Sequence, residues 1–200
     1  FNAMDAMKEN APLLHDDLFT DSDGEKSKSP SNIASHFQLT QGDVEKGFEE
    51  ADVIVEGEFT CPTVHQGYIE PHPCTVLWNE DNRVHVWCST QGGFLVRDRT
   101  ADILGIPVSQ VKVITQEIGG GFGGKTEIYI EPVAALLSKK TGDPVKIVMS
   151  RQEVFEATGP TCASYVKAKL GATKDGKMVA AKSWMAYDAG AYPGALVICG

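Results

Sequence analysis

The chain has 200 residues, of which 42% are hydrophobic and 22% are charged, a composition typical of a globular protein of one domain or two small ones rather than of a disordered chain. Its 27 acidic and 18 basic side chains give a formal net charge of -9, which disfavours binding to nucleic acid or to an anionic membrane surface. No apolar run is long enough to span a bilayer and no signal-peptide pattern is present, so we expect a cytoplasmic protein.

The first 32 residues are predicted to form a short piece followed by a linker. Residues 3–10 are helix-like. Residues 21–32 are polar, charged and rich in Pro, Gly and Ser, so we predict a flexible linker there and a body over residues 33–200. The chain begins with Phe1 and stops at Gly200 directly after an apolar run, which indicates a piece of a longer protein.

The body is predicted to mix helices with strands that pair as hairpins. Hydrophobic periodicity and turn residues predict, in chain order, a helix over 44–50, a strand over 53–59, a hairpin of 75–77 with 84–88, a helix over 94–104, a strand over 111–115, a helix from Glu131-Pro132 to Gly142, a strand over 145–149, and a hairpin of 165–170 with 178–187. This pattern favours an α+β fold over a doubly wound parallel sheet.

The five cysteines give no sign of a metal site. Their number is odd and none forms a C-x-x-C pair, so we expect reduced and mostly buried thiols. Thiolate clusters for zinc or iron–sulfur usually need closely spaced ligands. The residues concerned are Cys61, Cys74, Cys88, Cys162 and Cys199.

The most informative segment is a glycine-rich loop, GGGFGGKT, over residues 119–126. It satisfies the P-loop pattern G-x-x-x-x-G-K-[ST], which cradles phosphates at the start of a helix. However, proline suits the first helical position, so the helix is predicted to begin at Glu131-Pro132, several residues after Lys125. The next strand also lacks a carboxylate that would hold magnesium. We therefore favour a loop whose glycines let backbone N–H groups approach a bulky, oxygen-rich cofactor.

Five segments of the chain resemble, in the same order, segments of the molybdopterin hydroxylases. The glycine loop, EIGGGFGGKTE, resembles the GGGFGGK element of xanthine dehydrogenases, aldehyde oxidases, carbon monoxide dehydrogenase large subunits and hydroxybenzoyl-CoA reductases. The other four are Tyr68-Ile69-Glu70-Pro71-His72, Ser89-Thr90-Gln91, Gly142-Asp143-Pro144-Val145-Lys146 and Asp188-Ala189-Gly190-Ala191-Tyr192. The resemblance implies that residues 33–200 form the N-terminal part of the family's α+β molybdenum-cofactor-binding domain, and that residues 1–20 are the tail of the small domain that precedes it.

The resemblance implies that Gln91 and the middle of the glycine loop lie beside the metal. In this family a molybdenum with pterin, oxo, sulfido and hydroxo ligands hydroxylates an electron-poor carbon with oxygen from water. Gln91 matches the residue whose amide donates a hydrogen bond to the oxo group, and no protein side chain ligates the metal. Phe122, with Gly121 and Gly123, matches the loop where an aromatic ring excludes water and backbone amides reach the cofactor. Without the resemblance, Gln91 is equally a capping residue and Phe122 a core aromatic.

Four further residues receive more limited interpretations. Thr126 stands where xanthine-specific members have a purine-binding glutamate, and Glu127 follows one step later, so either is the candidate substrate contact and purine specificity is not implied. We interpret Lys125 as a surface or cofactor-rim charge. We interpret Glu70 as a brace for its loop rather than a general base.

The resemblance also implies cofactors and partners. The cofactor is molybdenum-molybdopterin, in its plain or cytosine dinucleotide form, and the intact, oligomeric enzyme uses [2Fe-2S] and FAD on other domains or subunits. The family's general-base glutamate lies beyond residue 200, so we expect the chain alone neither to retain the cofactor nor to turn over a small-molecule substrate. Two alternatives stay open, a noncatalytic module that binds a partner subunit and a P-loop nucleotide-binding protein.

Overall fold

The computed structural model describes residues 2–191, which form two compact units. One unit contains the residues up to Thr63 and those from Cys162 onward, and the other contains residues 64–161. Tyr192 of the fifth family-like segment, Cys199 and the apolar run over 195–199 lie outside the described residues. The predicted domain boundaries at residues 20 and 32 stay a prediction.

The described residues contain helices and strands that alternate irregularly along the chain, as expected for an α+β fold. The helices are α1 (Ala3–Ala6), α2 (Val44–Glu49), α3 (Gly93–Leu104), α4 (Glu131–Thr141) and α5 (Arg151–Ala157). The strands are β1 (Phe19–Ser22), β2 (Glu25–Pro30), β3 (Ser35–His36), β4 (Val53–Cys61), β5 (Pro73–Trp78), β6 (Val84–Cys88), β7 (Val111–Thr115), β8 (Val145–Val148), β9 (Ser164–Ala172) and β10 (Met178–Tyr187). The elements predicted from residue 44 onward are confirmed to within two residues at each end. Among the described residues, no helix combines the length and apolar character needed to cross a membrane.

The prediction of a flexible linker over residues 21–32 is wrong in its local structure. Most of that segment lies in β1 and β2, which pair antiparallel. The turn between them is Asp23-Gly24, and both residues have positive φ, which is the backbone geometry that closes a tight hairpin. Asp21 supports the turn, because its side chain accepts a hydrogen bond from the Gly24 amide. The N-terminal helix is also shorter than predicted and ends at Ala6.

In the unit that contains the residues before 64 and after 161, the described residues form two three-stranded sheets, ordered β2-β1-β3 and β10-β9-β4. The second sheet is antiparallel throughout, and α2 packs on it. Phe48 of α2 packs directly against Gly171 of β9, where a Cβ would lie only 3.1 Å from the Phe48 ring. The helix therefore lies close against the strands.

The other unit, residues 64–161, has one four-stranded sheet in the order β7-β6-β5-β8. Strands β5 and β6 form the predicted hairpin, β5 pairs antiparallel with β8, and β7 lies parallel to β6. Alternate residues of β5 and β6 are buried, among them Val76 and Val86, which are direct cross-strand partners. They pack with Val96 of α3 and with Ala134 and Ala135 of α4. This core fixes the ends of β6 and β7, from which the candidate site extends.

Two cysteines belong to that core. Cys74 and Cys88 are cross-strand partners and both are buried and free. Burial, together with the charge of Glu131, raises the pKa of each thiol to about 12, so both stay protonated. Cys61 is exposed and Cys162 half-buried, so the expectation of mostly buried thiols holds for two of the four cysteines that the structure describes.

Candidate functional site

Three loops of residues 64–161 meet beside the sheet. The first precedes β5 and contains Tyr68 and Glu70. The second follows β6, where Ser89 and Gln91 lie between the strand and α3. The third is the glycine loop after β7, which is hydrogen-bonded to both of the others. Three of the five family-like segments are thus brought together by the fold.

Glu70 braces the first loop against the other two, as predicted. Its Oε2 accepts hydrogen bonds from Ser89 Oγ at 2.6 Å, from the Gly119 amide at 2.7 Å and from Lys125 Nζ at 2.7 Å. Partial burial favours the protonated carboxyl, but these three donors outweigh it and hold the pKa of Glu70 below its ordinary value. A carboxylate stabilised in this way is a poor proton acceptor, which argues for the bracing role over a general base.

The position of Lys125 shows that one prediction, a surface or rim charge, is wrong, and it also tests the P-loop alternative. We expected a surface or rim charge, but the side chain is 0% exposed, and its ammonium binds Glu70 and Ser89 and lies 5.1 Å from the centre of the Tyr68 ring. The lysine of a P-loop must instead be free to reach a phosphate. Helix α4 also begins at Glu131, six positions after this lysine, as predicted. The P-loop alternative is therefore wrong.

The side chain of Gln91 is held in one orientation. Its Oε1 accepts hydrogen bonds from the backbone N–H of Gly123 at 3.0 Å and from that of Lys125 at 3.2 Å. Two N–H donors on one side of a carboxamide require its oxygen there, so the NH₂ group is on the opposite side. Gln91 is exposed, and its Nε2 makes no hydrogen bond to any residue in the described range 2–191. Two N–H donors are therefore fixed in direction and available to a ligand.

Phe122 lies at the tip of the glycine loop, adjacent to the Gly123 amide that binds Gln91. Its side chain is 74% exposed, which excludes the interpretation as a core aromatic. Its φ of 49° is in the left-handed region, which is uncommon for a residue with a bulky side chain. Such backbone strain is often found where a side chain is needed in a particular place at a functional site. The structure thus brings the side chain of Gln91 against the loop that carries Phe122.

Gly121 lies directly against the side chain of Gln91, in its observed position, and leaves no room there for a Cβ. A Cβ at this position would lie 2.7 Å from Gln91 Cδ, closer than real Cβ contacts allow. Gly124 is similarly restricted, because its Cβ would lie 2.7 Å from a ring carbon of Tyr68. The glycines of the loop therefore allow two side chains to pack directly against its backbone.

A cluster of mostly buried polar side chains stabilises the loop that precedes β5. Tyr68 is 1% exposed, and its hydroxyl shares a hydrogen bond of 2.6 Å with His72 Nε2. Thr158 lies 3.5 Å from the same hydroxyl and also bonds His65 at 2.8 Å. Burial, and then the nearby positive charge of Lys125, lowers the pKa of His72 to about 4, so this imidazole is neutral at pH 7.

Ser89 and Thr158 belong to this site, although no sequence pattern had pointed to them as site residues. Ser89 was noted only within a family-like segment, and Thr158 follows α5, a helix that was not predicted. A signal for that helix was present, because Ser150 and Glu153 form a capping box at its start. No local pattern, however, indicates that residue 158 contacts residues 65 and 68.

The two candidate substrate residues lie at the end of the glycine loop and are half-buried. Thr126 Oγ1 donates to the Gly123 carbonyl at 2.9 Å, so its hydroxyl is occupied within the loop. Glu127 makes no hydrogen bond or ion pair with any other residue that the structure describes. Their role as substrate contacts stays a prediction.

Comparison with known proteins identifies the family. Residues 26–198 match the family described as the molybdopterin cofactor-binding domain. The chain belongs to this family. It is 32% identical over 187 residues to the nicotinate dehydrogenase large molybdopterin subunit of Eubacterium barkeri, covering 94% of this chain and 41% of that protein. It is 36% identical over 145 residues to xanthine dehydrogenase/oxidase of Gallus gallus, covering 70% of this chain and 11% of that protein.

A solved structure of a family relative has the same fold. Reconstituted CO dehydrogenase from Oligotropha carboxidovorans matches with a TM-score of 0.63 and 29% identity, over 94% of this chain and 25% of that chain. The chain thus spans less than half the length of these relatives.

Proposed function

We propose that this chain is part of a molybdenum-dependent oxidoreductase, in which Gln91 and the glycine loop hold the metal side of a molybdopterin cofactor. When bound, that cofactor would supply the two-electron oxidation of an electron-poor carbon and oxygen derived from water. The family match and the names of the relatives support the class of cofactor and of reaction. The chain covers only 41% of the nicotinate dehydrogenase subunit, so the activity of the whole protein is part of this proposal.

The orientation of Gln91 is the observation that carries this proposal. Its oxygen is bound to the amides of Gly123 and Lys125, so its Nε2 hydrogens are the atoms presented outward. A metal oxo group accepts hydrogen bonds and cannot donate them, so an outward NH₂ group suits it and an outward carbonyl oxygen does not. The amide is also neutral, and it therefore adds no charge beside the metal. The Gln91 carboxamide, held in this orientation, therefore fits the oxo group of a molybdopterin cofactor.

Phe122 is proposed to exclude water from the same position. Its exposed ring stands beside the Gly123 amide, on a loop that is bonded to Gln91. An apolar ring next to a polar group lowers the local dielectric, which strengthens the hydrogen bond that Gln91 donates. We assign Gly121 and Gly123 to the cofactor contact because they flank this ring and lie against the Gln91 carboxamide.

The substrate and the partners are proposed at the level of chemical class. We propose an aldehyde or an N-heterocycle as substrate, with Thr126 or Glu127 as its contact, and note that the names of two relatives refer to nicotinate and xanthine. The proposed partners are iron–sulfur and flavin subunits or domains that carry electrons away. We further propose a cytoplasmic location and a plain or cytosine dinucleotide form of the pterin.

Substitution of Gln91 tests the proposed function. In the intact, molybdenum-loaded enzyme of which this chain is proposed to be a part, Gln91→Ala removes the fixed donor group, and losing such a group typically reduces kcat by roughly 100-fold or more. Gln152→Ala, which changes an exposed glutamine of α5, is the control and leaves kcat unchanged. Oxidation of an aldehyde or N-heterocycle with an artificial electron acceptor gives the rate, and metal analysis gives the molybdenum content. Equal rates and equal molybdenum contents in Gln91→Ala and the control would rule out the assigned role.

A further inference from the structure

Every polar atom of Lys125 is used within the site. Its backbone N–H donates to Gln91 Oε1 at 3.2 Å, and its carbonyl accepts from the Gln91 backbone N–H at 2.8 Å and from Thr90 Oγ1 at 2.9 Å. Its ammonium binds Glu70 at 2.7 Å and Ser89 at 3.2 Å. The backbone of this one residue therefore contacts both the main chain and the side chain of Gln91, while its side chain reaches a different loop.

The glycine loop is anchored at both ends on a single oxygen atom. Glu70 Oε2 binds the amide of Gly119, where the loop begins, and the ammonium of Lys125, where it ends. Five of the seven residues from 119 to 125 are glycines, and glycine loses more conformational entropy on ordering than any other residue. Such a loop has little intrinsic preference for one conformation. Strong contacts at its ends are therefore needed to keep its amides in place.

The contact between Lys125 and Glu70 is strong because of where it lies. The lysine side chain is fully buried, whereas the glutamate side chain is 30% exposed. A buried ammonium loses its hydration, so it needs a charged partner and further hydrogen bonds, which Glu70 and Ser89 provide. Removing either charge would leave the other without its charged partner.

We propose that Lys125 and Glu70 are positioning residues that set the orientation of the Gln91 carboxamide. The ion pair fixes the main chain at Lys125, this main chain fixes Gln91 Oε1, and the Nε2 hydrogens of Gln91 then face outward. The functional meaning of that orientation rests on the proposed function, but the coupling itself is a property of the chain without any cofactor. Neither residue contacts the cofactor in this scheme.

Nuclear magnetic resonance of the cofactor-free chain measures the coupling directly. In the unsubstituted protein, the two Nε2 hydrogens of Gln91 should give well-separated signals with a heteronuclear NOE close to that of the backbone. Lys125→Met removes the ammonium, and the NOE of the Gln91 side chain should fall to about half or less, as for a flexible group. Lys125→Arg keeps the charge and should restore much of the signal. Lys140→Met, on the exposed face of α4, is the matched control and should change nothing.

A second variant covers the case in which Lys125→Met does not fold. Glu70→Gln keeps an oxygen of similar position but removes the negative charge, and it should loosen Gln91 in the same way. The proposal is overturned if the Gln91 signals are unchanged in a folded variant, or if both variants unfold, since the pair would then serve overall stability alone. Because the measurement needs no metal, a mobile Gln91 in Lys125→Met combined with full activity of Gln91→Ala in the loaded protein would leave the coupling intact and refute only the proposed function.

Discussion

Gly121 shows how a single missing side chain positions a functional one. The carboxamide of Gln91 occupies the space that a Cβ at this position would need. The effect is steric, because the Gly121 backbone is not among those with positive φ. Replacement by alanine therefore acts on Gln91 rather than on the loop conformation.

Gly121→Ala is expected to reduce stability and to displace Gln91. Overpacking at a tight contact costs about 1–3 kcal/mol, and the flexible Gln91 side chain can relieve part of it by moving. Urea denaturation measures the stability, and the Gln91 side-chain amide signals report the displacement. Gly159→Ala is the control, because a Cβ at Gly159 has no neighbour within 4 Å and its φ is not positive. Equal effects of the two substitutions would contradict this account.

His72 is expected to make stability depend on pH. Burial lowers its pKa from 6.5 to about 4 in the folded protein. Between these values the unfolded chain binds more protons at this residue than the folded one, so stability is fully present above pH 6.5 and is lost as the pH falls toward 4. The loss amounts to about 3 kcal/mol, since one pKa unit corresponds to roughly 1.4 kcal/mol.

Denaturation of wild-type protein and His72→Gln at pH 7 and at pH 4.5 tests this dependence. Glutamine can still accept a hydrogen bond from Tyr68 but does not titrate, so the difference between the two pH values should be smaller in the variant. His36→Gln, at an exposed position of β3, should behave as wild type. The groups whose charges affect the pKa of His72 are Lys125, His65 and Glu70, and the rings of Tyr68 and Tyr129 contact it; all five are unchanged in the three proteins. A variant with the wild-type pH dependence would show that another group is responsible.

Helix α5 supports the site although it contributes no residue to the glycine loop. Val154 in its middle is 0% exposed and packs with Tyr68 and Met149. The helix has only seven residues, which is too short to be stable by propensity alone. Its capping box and this packing contact therefore help to hold it in place, together with the edge contact between His65 and Phe155.

Ser150→Ala should destabilise the unit of residues 64–161 by about 1 kcal/mol, the usual cost of losing an N-cap side chain. Ser150 Oγ accepts from the Glu153 amide at 3.2 Å, and Glu153 in turn accepts from the Ser150 amide at 2.7 Å. Gln152→Ala in the same helix removes only an exposed contact with Glu156 and should cost a few tenths of a kcal/mol. Thermal unfolding compares the two variants, and a loss in Ser150→Ala no larger than in Gln152→Ala would contradict the importance of the cap.

Residues 64–161 are expected to fold as a separate chain. They are contiguous in sequence, contain two buried hydrophobic clusters, and have ends that meet, since Val64 and Thr161 form an antiparallel bridge. The other unit is built from both ends of the chain, so no single fragment contains it. The fragment 64–161 should unfold cooperatively with near-ultraviolet circular dichroism. A fragment of equal length, 1–98, separates β5 and β6 from β7 and β8 and should not. Failure of the fragment 64–161 to fold would show that it requires the unit built from the two ends of the chain.

Local sequence patterns were sufficient for most of the elements and for part of the site. Proline at the start of α4 and Gly142 at its end define that helix, because proline fixes φ and glycine allows the positive φ of a C-cap. Alternating hydrophobic residues and polar turns define the two hairpins. The same kind of evidence, the distance along the chain from Lys125 to Glu131, disfavoured the P-loop alternative, which the burial of Lys125 then excluded.

The hairpin of β1 and β2, over residues 19–30, and the burial of Lys125 were not predicted, for different reasons. In the hairpin, the polar composition outweighed a local signal, Asp23-Gly24, that was present. For Lys125 no local signal exists, because a lysine after five glycines has the same sequence context whether it is exposed or paired. Its burial depends on Glu70 and Ser89, which lie 55 and 36 residues away along the chain. Patterns of neighbouring residues encode helices, turns and strands, whereas the direction of the Gln91 amide results from contacts that exist only once distant segments have packed together.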